Sequence, residues 1–505
     1  MREDPGYFED NVHAWADHRQ EHILDSIGKL HRTFTRDQSQ FWDIVVLHVV
    51  ETAYACLIAW SILAKQAHLV VALQEKHARR LDLRCILPPE YKKEIQIFRA
   101  LLHHFSPSPD ATLRYCILAS PLLRSAFVRQ IQSDGTTRTE FRDGAQRELG
   151  SLLWVFHIIC QPVPWHDYGA QDIVDKTERQ IFAEPEQKKR ISPFIAEQLA
   201  LHGLLARVRH EVDNYHPWAT DYRKNELSQE DVDKELREHL ADLMGRSSNI
   251  QGFALGEVGK PAPERWSYPC DTRLNESNAR SMRKAEEDLD LFWTEVDKQY
   301  KKSTGGEGGL QDDFAHRFTV KYELEQTSEW IESSNESSAE NQEQTATEEK
   351  VDNLREPMSD LKLDQRMPLA NYVPGVAAYS IQFHGLLPNV TYANWSNGKA
   401  FSEPLFKLDH RAMRVTKALF DEPSDQDRPG EIAWGDFLHF MSAMNFSSLK
   451  LYGLLWHFDN PLTRPIQFFE PQSKVTLRVA MRMGRRLRRT YKWHAKMFEG
   501  TGQSS

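Results

Sequence analysis

The chain has 505 residues, with 63 Lys plus Arg against 73 Asp plus Glu and a formal net charge of −10. At ~100–200 residues per domain that length makes two to four units. The charge balance excludes a protein that coats nucleic acid throughout, but it leaves room for a local basic patch. With 40% hydrophobic residues and a mean hydropathy of −0.59, a chain of many membrane spans is excluded too.

The chain opens without the apolar run of a secretory leader, and its five cysteines, at 56, 85, 116, 160 and 270, form no CxxC pair. Both features fit a reducing intracellular setting, cytoplasmic or nuclear. Residues 45–63, VVLHVVETAYACLIAWSIL, imitate a membrane span. They carry His48 and Glu51, however, and a central carboxylate costs ~2.5–3.5 kcal/mol on insertion. The reading is a long helix buried in a helical domain, with no membrane partner.

Helical periodicity continues to about residue 302. Residues 88–105 start on two prolines and space Tyr91, Ile95, Phe98 and Leu102 by turns. Residues 228–244 carry a capping Ser228 and the stripe Val232, Leu236, Leu240 and Leu243, and end at Gly245. Leu289, Phe292, Trp293, Val296 and Tyr300 mark a last helix, and 132–144 reads as a loop. Residues 1–302 are thus expected to form an all-helical scaffold. From 303 to 370 runs a disordered linker in which 323–349 hold nine glutamates and no Lys or Arg. Residues 371–400 connect it to a small basic α+β domain, 401–498. There 406–422 and 431–446 read as helices, 449–458 and 464–470 as paired strands, KVTLR as a further strand, and 479–498 as a closing helix. The fold class is mainly α with a C-terminal α-β-β-β-α domain.

The strongest functional signal is in that closing segment. Pro471 to Phe498 contains nine Lys or Arg and no acid. Arg478, Arg482, Arg485, Arg489, Lys492 and Lys496 share one helical face, while Val479, Met483, Leu487 and Tyr491 share another. Such a ridge, with Arg486 and Arg488 beside it, suits phosphates, because each contact releases condensed counterions. It suits an acidic protein segment equally well. RNA or another polyanion is therefore the first expected partner, and an acidic protein partner the second; oligomeric state stays open.

Catalytic patterns are sparse, so the expectation leans to a non-enzyme with no cofactor. His18, Glu21 and His22 match the HxxEH spacing in which two histidines bind zinc and the glutamate activates water. No downstream third ligand is recognisable, and the preferred reading is a solvated helix without metal. His210 and His216 stand six apart, on opposite helical faces. Trp154, Trp165, Trp218 and Trp293 read as core or interface anchors.

Two sets of residues carry resemblances. REDPGYFEDNVHAWADHRQE (2–21), PGEIAWGDFLHFMSAMNFSSLKLYGLLWHF (429–458), RPIQFFEP (464–471) and MGRRLRRTYKWH (483–494) resemble a large family of uncharacterised proteins from filamentous ascomycete fungi. There the first motif lies well inside the chain, which implies a shortened member here. Residues Asp436–Phe446, Gly453–Phe458 and the basic helix are similar to HicA-type mRNA-interferase toxins, which have a double-stranded-RNA-binding-domain-like fold and the pattern G-S-H-x-x-F. Gly453 and Phe458 match it. Leu454 stands at the serine and Leu455 at the catalytic histidine, so the resemblance implies an RNA-binding shape without the nuclease; a divergent nuclease through His457 is the third reading.

Overall fold

The computed structural model describes most of residues 1–306, residues 326–327 and most of 405–500. The acidic linker, the connecting segment and most of the helix expected at 228–244 lie outside the described residues. The described residues belong to one compact unit. It is mainly helical, with a few C-terminal strands.

The body begins with α1 (Pro5–Asp17), and its start is chemically specified. Asp4 caps it, accepting from the Tyr7 N–H at 2.9 Å, and Pro5 takes the first turn. A short 3-10 turn (Gln20–His22) and α2 (Arg32–Arg36) lead to α3 (Gln38–Lys76). α3 is the one described helix long and apolar enough to cross a membrane. One face of it is core: Val45, Val46, Val49, Val50 and Ile58 are buried, against α4 (Pro89–Phe105) and other helices. Tyr91, Ile95 and Leu102 of α4 are buried as their spacing predicts, and Phe98 packs at the edge.

After α5 (Pro107–Ala119) the structure departs from an all-helical reading. β1 (Phe127–Ile131) and β2 (Thr137–Phe141) pair antiparallel, with Phe127 opposite Phe141, where a loop was expected. Buried Arg129 explains the pairing: its side chain donates to the carbonyls of Ile23 and Lys29, both at 3.2 Å, tying the hairpin to the turn before α2. That anchor is a long-range contact with no periodic signature.

The body continues through α6 (Ala145–Leu149), α7 (Leu152–Ile159), α8 (Ala170–Ala183), α9 (Pro185–Lys188) and α10 (Pro193–Tyr215). α11 (Gly256–Gly259) and α12 (Glu276–Ser303) complete it. All five residues of the expected α12 stripe are buried. Trp293 is an anchor, near Phe8 and Phe292, whereas Trp154 is 44% exposed and is not; Trp165 and Trp218 lie outside the described residues.

The C-terminal lobe runs β3 (Phe406–Leu408), α13 (His410–Phe420), α14 (Trp434–Ala443), β4 (Ser447–Lys450), β5 (Leu455–Asp459), β6 (Ile466–Phe469), α15 (Leu477–Tyr491) and β7 (Phe498–Gly500). β4, β5 and β6 form an antiparallel sheet in sequence order, and β3 pairs with β7 in parallel. The stretch 449–458, expected as one strand, is two, turning at Gly453; KVTLR contributes a single bridge, Val475 to Ile432. The closing helix stops at Tyr491, where Lys492 takes φ 61° as the left-handed cap. Gly484 lets α15 cross α13 at backbone contact, since a Cβ there would overlap the Leu419 carbonyl. The lobe has its own core of Phe437, Phe440, Phe458, Met483 and Leu487.

Candidate functional site

α15 places its cations against the body. Thr476 caps the helix, and the burial of Met483 and Leu487 in the lobe core fixes its rotation, as their stripe predicts. Arg478, Arg482 and Arg485 then face α1. Arg482 bonds Asp10 at 2.8 Å and Asp4 at 3.3 Å. Arg485 reaches Asp4 at 2.5 Å, and Arg478 lies 3.9 Å from both Glu9 and Asp10. Rings cover the row as well, with Arg482 over Tyr7 and Arg485 over Tyr268.

Asp4 is the centre of this contact. Its side chain is 11% exposed, it caps α1, and it takes two guanidinium groups. Burial alone would raise its pKa, but Arg485 and then Arg482 outweigh burial and hold it below the usual carboxylate range. The Arg485 guanidinium is itself desolvated, which opposes its charge, yet Asp4 beside it shifts the balance the other way and raises its pKa.

The remaining cations are placed differently. Arg486 is exposed, its guanidinium 4.9 Å from the Phe468 ring centre; Arg488 is half-buried; Arg489 is exposed. Lys492 and Lys496 lie beyond the helix, in its cap and in a 3-10 turn, so the expected six-residue ridge is interrupted after Arg489.

A second contact joins the lobes, and sequence reasoning missed it. The β4–β5 turn, Tyr452-Gly453-Leu454, enters a recess between α8, α9 and α10. Leu454 joins the core of the body rather than that of its own lobe. Gly453, at φ +62°, donates its N–H to Glu178, and a Cβ there would sit 2.7 Å from the Ala196 carbonyl oxygen. The Tyr452 hydroxyl accepts from Gln171 Nε2 at 2.5 Å, and its ring covers Gly203, where a Cβ would come within 2.6 Å. Burial pushes the Glu178 carboxyl up to about 7, against the pull of the Gly453 N–H and Lys450. Leu454 and Leu455, at the serine and the catalytic-histidine positions of the toxin pattern, are both buried apolar residues here. His457 is half-buried on β5, where burial lowers its pKa, and its polar neighbour is Gln467 at 3.5 Å.

The HxxEH residues do not converge on a metal. α1 ends at Asp17, so His18 is its cap and Glu21 and His22 belong to the 3-10 turn. His18 Nδ1 donates to the Ala14 carbonyl at 2.7 Å, and its Nε2 accepts from the Ser192 hydroxyl at 2.9 Å. His22 donates to the Ala16 carbonyl at 2.9 Å, and Glu21 takes Arg19 at 3.1 and 3.2 Å. Among the described residues no three His, Cys, Asp or Glu side chains gather as a metal set, and no disulfide joins the described cysteines.

No family model, curated protein or solved structure matches the chain.

Proposed function

We propose that the chain is a non-catalytic, intracellular interaction scaffold whose basic C-terminal helix docks an acidic segment of the same chain, the start of α1. One observation carries this reading: Arg478, Arg482 and Arg485, the first half of the basic row, are spent on Asp4, Glu9 and Asp10. A guanidinium that already holds a buried carboxylate offers a phosphate little further gain, because the carboxylate would be left desolvated and unpaired. RNA or another polyanion would meet exposed cations outside that contact, among them Arg486, Lys492 and Lys496.

The test uses the full chain with a protease site placed at 341–345, in the acidic stretch. After cleavage the two halves are expected to elute together at about 0.1 M salt and to separate as salt approaches about 1 M, where screening is strongest. Arg482→Glu with Arg485→Glu should separate them at low salt and leave the affinity of the uncut chain for duplex RNA unchanged. Halves that part at low salt in the unaltered protein, or RNA that displaces α1 from the arginines, would transfer the row to a polyanion.

A further inference from the structure

Away from the lobe contact, the end of α1, the 3-10 turn after it, α3 and α5 line an open recess of about 350 Å³. Small-molecule sites span ~300–1,000 Å³, and an apolar hole of ~150 Å³ already holds benzene. The chemistry of its walls is specific. Arg19 and Glu21 line it side by side in a two-pronged pair, with side chains only 23% and 14% exposed. A guanidinium and a carboxylate thus share one recess, and the rest of the lining brings no further charge. Burial and then the Arg19 charge hold His48 down to about 4, so its ring is neutral at pH 7. It makes no hydrogen bond among the described residues, which leaves one N–H and one ring nitrogen available. The Cys116 thiol is pushed up to about 12 by burial and stays protonated. Flat walls come from Trp15, whose ring stands edge-on to His48 at 4.4 Å, and from Tyr115, which is 48% exposed at the mouth; Thr112 adds a hydroxyl.

These walls discriminate by charge. Arg19 and Glu21 already neutralise each other, so a simple anion could take Arg19 only by drawing it off Glu21, and a simple cation could take Glu21 only by drawing it off Arg19; either would leave one partner of the pair unmatched. A ligand carrying both charges a few ångströms apart satisfies both residues at once. We infer that this recess binds a free α-amino acid with a flat apolar side chain, its carboxylate on Arg19, its ammonium on Glu21 and its side chain among Trp15, His48 and Tyr115. Bidentate geometry favours arginine over lysine for the carboxylate, and ring-on-ring contact favours an aromatic side chain.

Titration calorimetry of the full chain with three probes tests it: L-phenylalanine, hydrocinnamate, which lacks the ammonium, and phenethylamine, which lacks the carboxylate. Phenylalanine is expected to bind at least about ten-fold more tightly than either analogue, a difference of about 1.4 kcal/mol. Glu21→Gln should transfer the preference to hydrocinnamate, and Arg19→Gln to phenethylamine, a reversal that mere loss of structure does not produce. The ranking in the unaltered protein decides even if a variant fails to fold. The assignment is overturned if hydrocinnamate binds as tightly as phenylalanine, if none of the three binds at millimolar concentration, or if Glu21→Gln weakens all three equally.

Discussion

The lobes meet at two places built from opposite materials. The α15–α1 contact is ionic: three arginines, three carboxylates and a tyrosine ring. The contact of the 452–454 turn with α8–α10 is steric, with one buried leucine, a tyrosine ring on a glycine and a backbone N–H held by a carboxylate. Charge acts over several ångströms and tolerates some movement, but salt screens it. Close packing ignores salt and tolerates no added atom. In a joint with both, salt removes only the ionic hold, so the steric hold sets how much salt is needed before the lobes part.

Removing the centre of the ionic contact should have the largest effect. Asp4→Ala deletes the α1 cap, worth ~1 kcal/mol, and strands Arg482 and Arg485 on a half-dry surface. Breaking a buried pair costs ~3–5 kcal/mol; with Arg482 and Arg485 22% and 26% exposed, about 2 kcal/mol is the more realistic share here. The total is about 3 kcal/mol in urea unfolding. Asp4→Asn keeps the cap and should recover about 1 kcal/mol of it. A loss that is the same for both variants would show that the cap adds nothing and the arginine contact carries it all, whereas an Asp4→Asn protein as stable as the unaltered one would show that the cap matters and the arginines do not.

The two contacts also differ in how far they could be read in advance. The basic row, the apolar stripe of Met483 and Leu487 that sets its rotation, and the mainly helical class follow from period and charge. Asp4 and Asp10 stand in the sequence in plain view, but nothing local says that a carboxylate 478 residues from Arg482 is its partner. The turn contact left no trace, because Leu454 looks like any strand leucine and Gly453 like an interruption within a strand. Their meaning lies in α8–α10, whose spacing reports only burial. The Arg129 hairpin was missed for the same reason, and the HxxEH residues, expected on a solvated helix, fall instead in a cap and a 3-10 turn because α1 ends one residue before the first histidine, which is itself buried.

A substitution in the turn separates steric from ionic dependence. Gly453→Ala forces a Cβ onto a left-handed residue, at ~1–2 kcal/mol, and into the Ala196 carbonyl. We expect a loss of about 2 kcal/mol in urea unfolding, the same at low and high salt. The Asp4→Ala loss should shrink with salt. If the Gly453→Ala loss shrank too, the turn would be held in place by the arginines and would have no independent hold.

The smallest expected effect is a pH dependence, and it separates the contacts by sign. Glu178 sits under the turn, facing the Gly453 N–H, Lys450, Asp175 and Lys188. Its carboxyl is raised to about 7 in the docked state, from an ordinary 4.5. The docked protein therefore binds more protons than the undocked one between those values, and docking weakens as pH rises through that window. Asp4 behaves oppositely. Its lowered pKa adds stability that is present above its ordinary 3.8 and is lost only as pH falls further. From pH 7 down to about pH 5 the joint should thus tighten, by about 1–2 kcal/mol once residual solvent access to Glu178 is discounted; below about pH 4 it should loosen as Asp4 takes a proton. Glu178→Gln keeps an acceptor for Gly453 and has no proton to exchange. It should abolish the tightening between pH 7 and pH 5 and leave the acid loosening intact, measured as the salt needed to part the cleaved halves. A slope that persists in Glu178→Gln would assign the titration to another group at the joint.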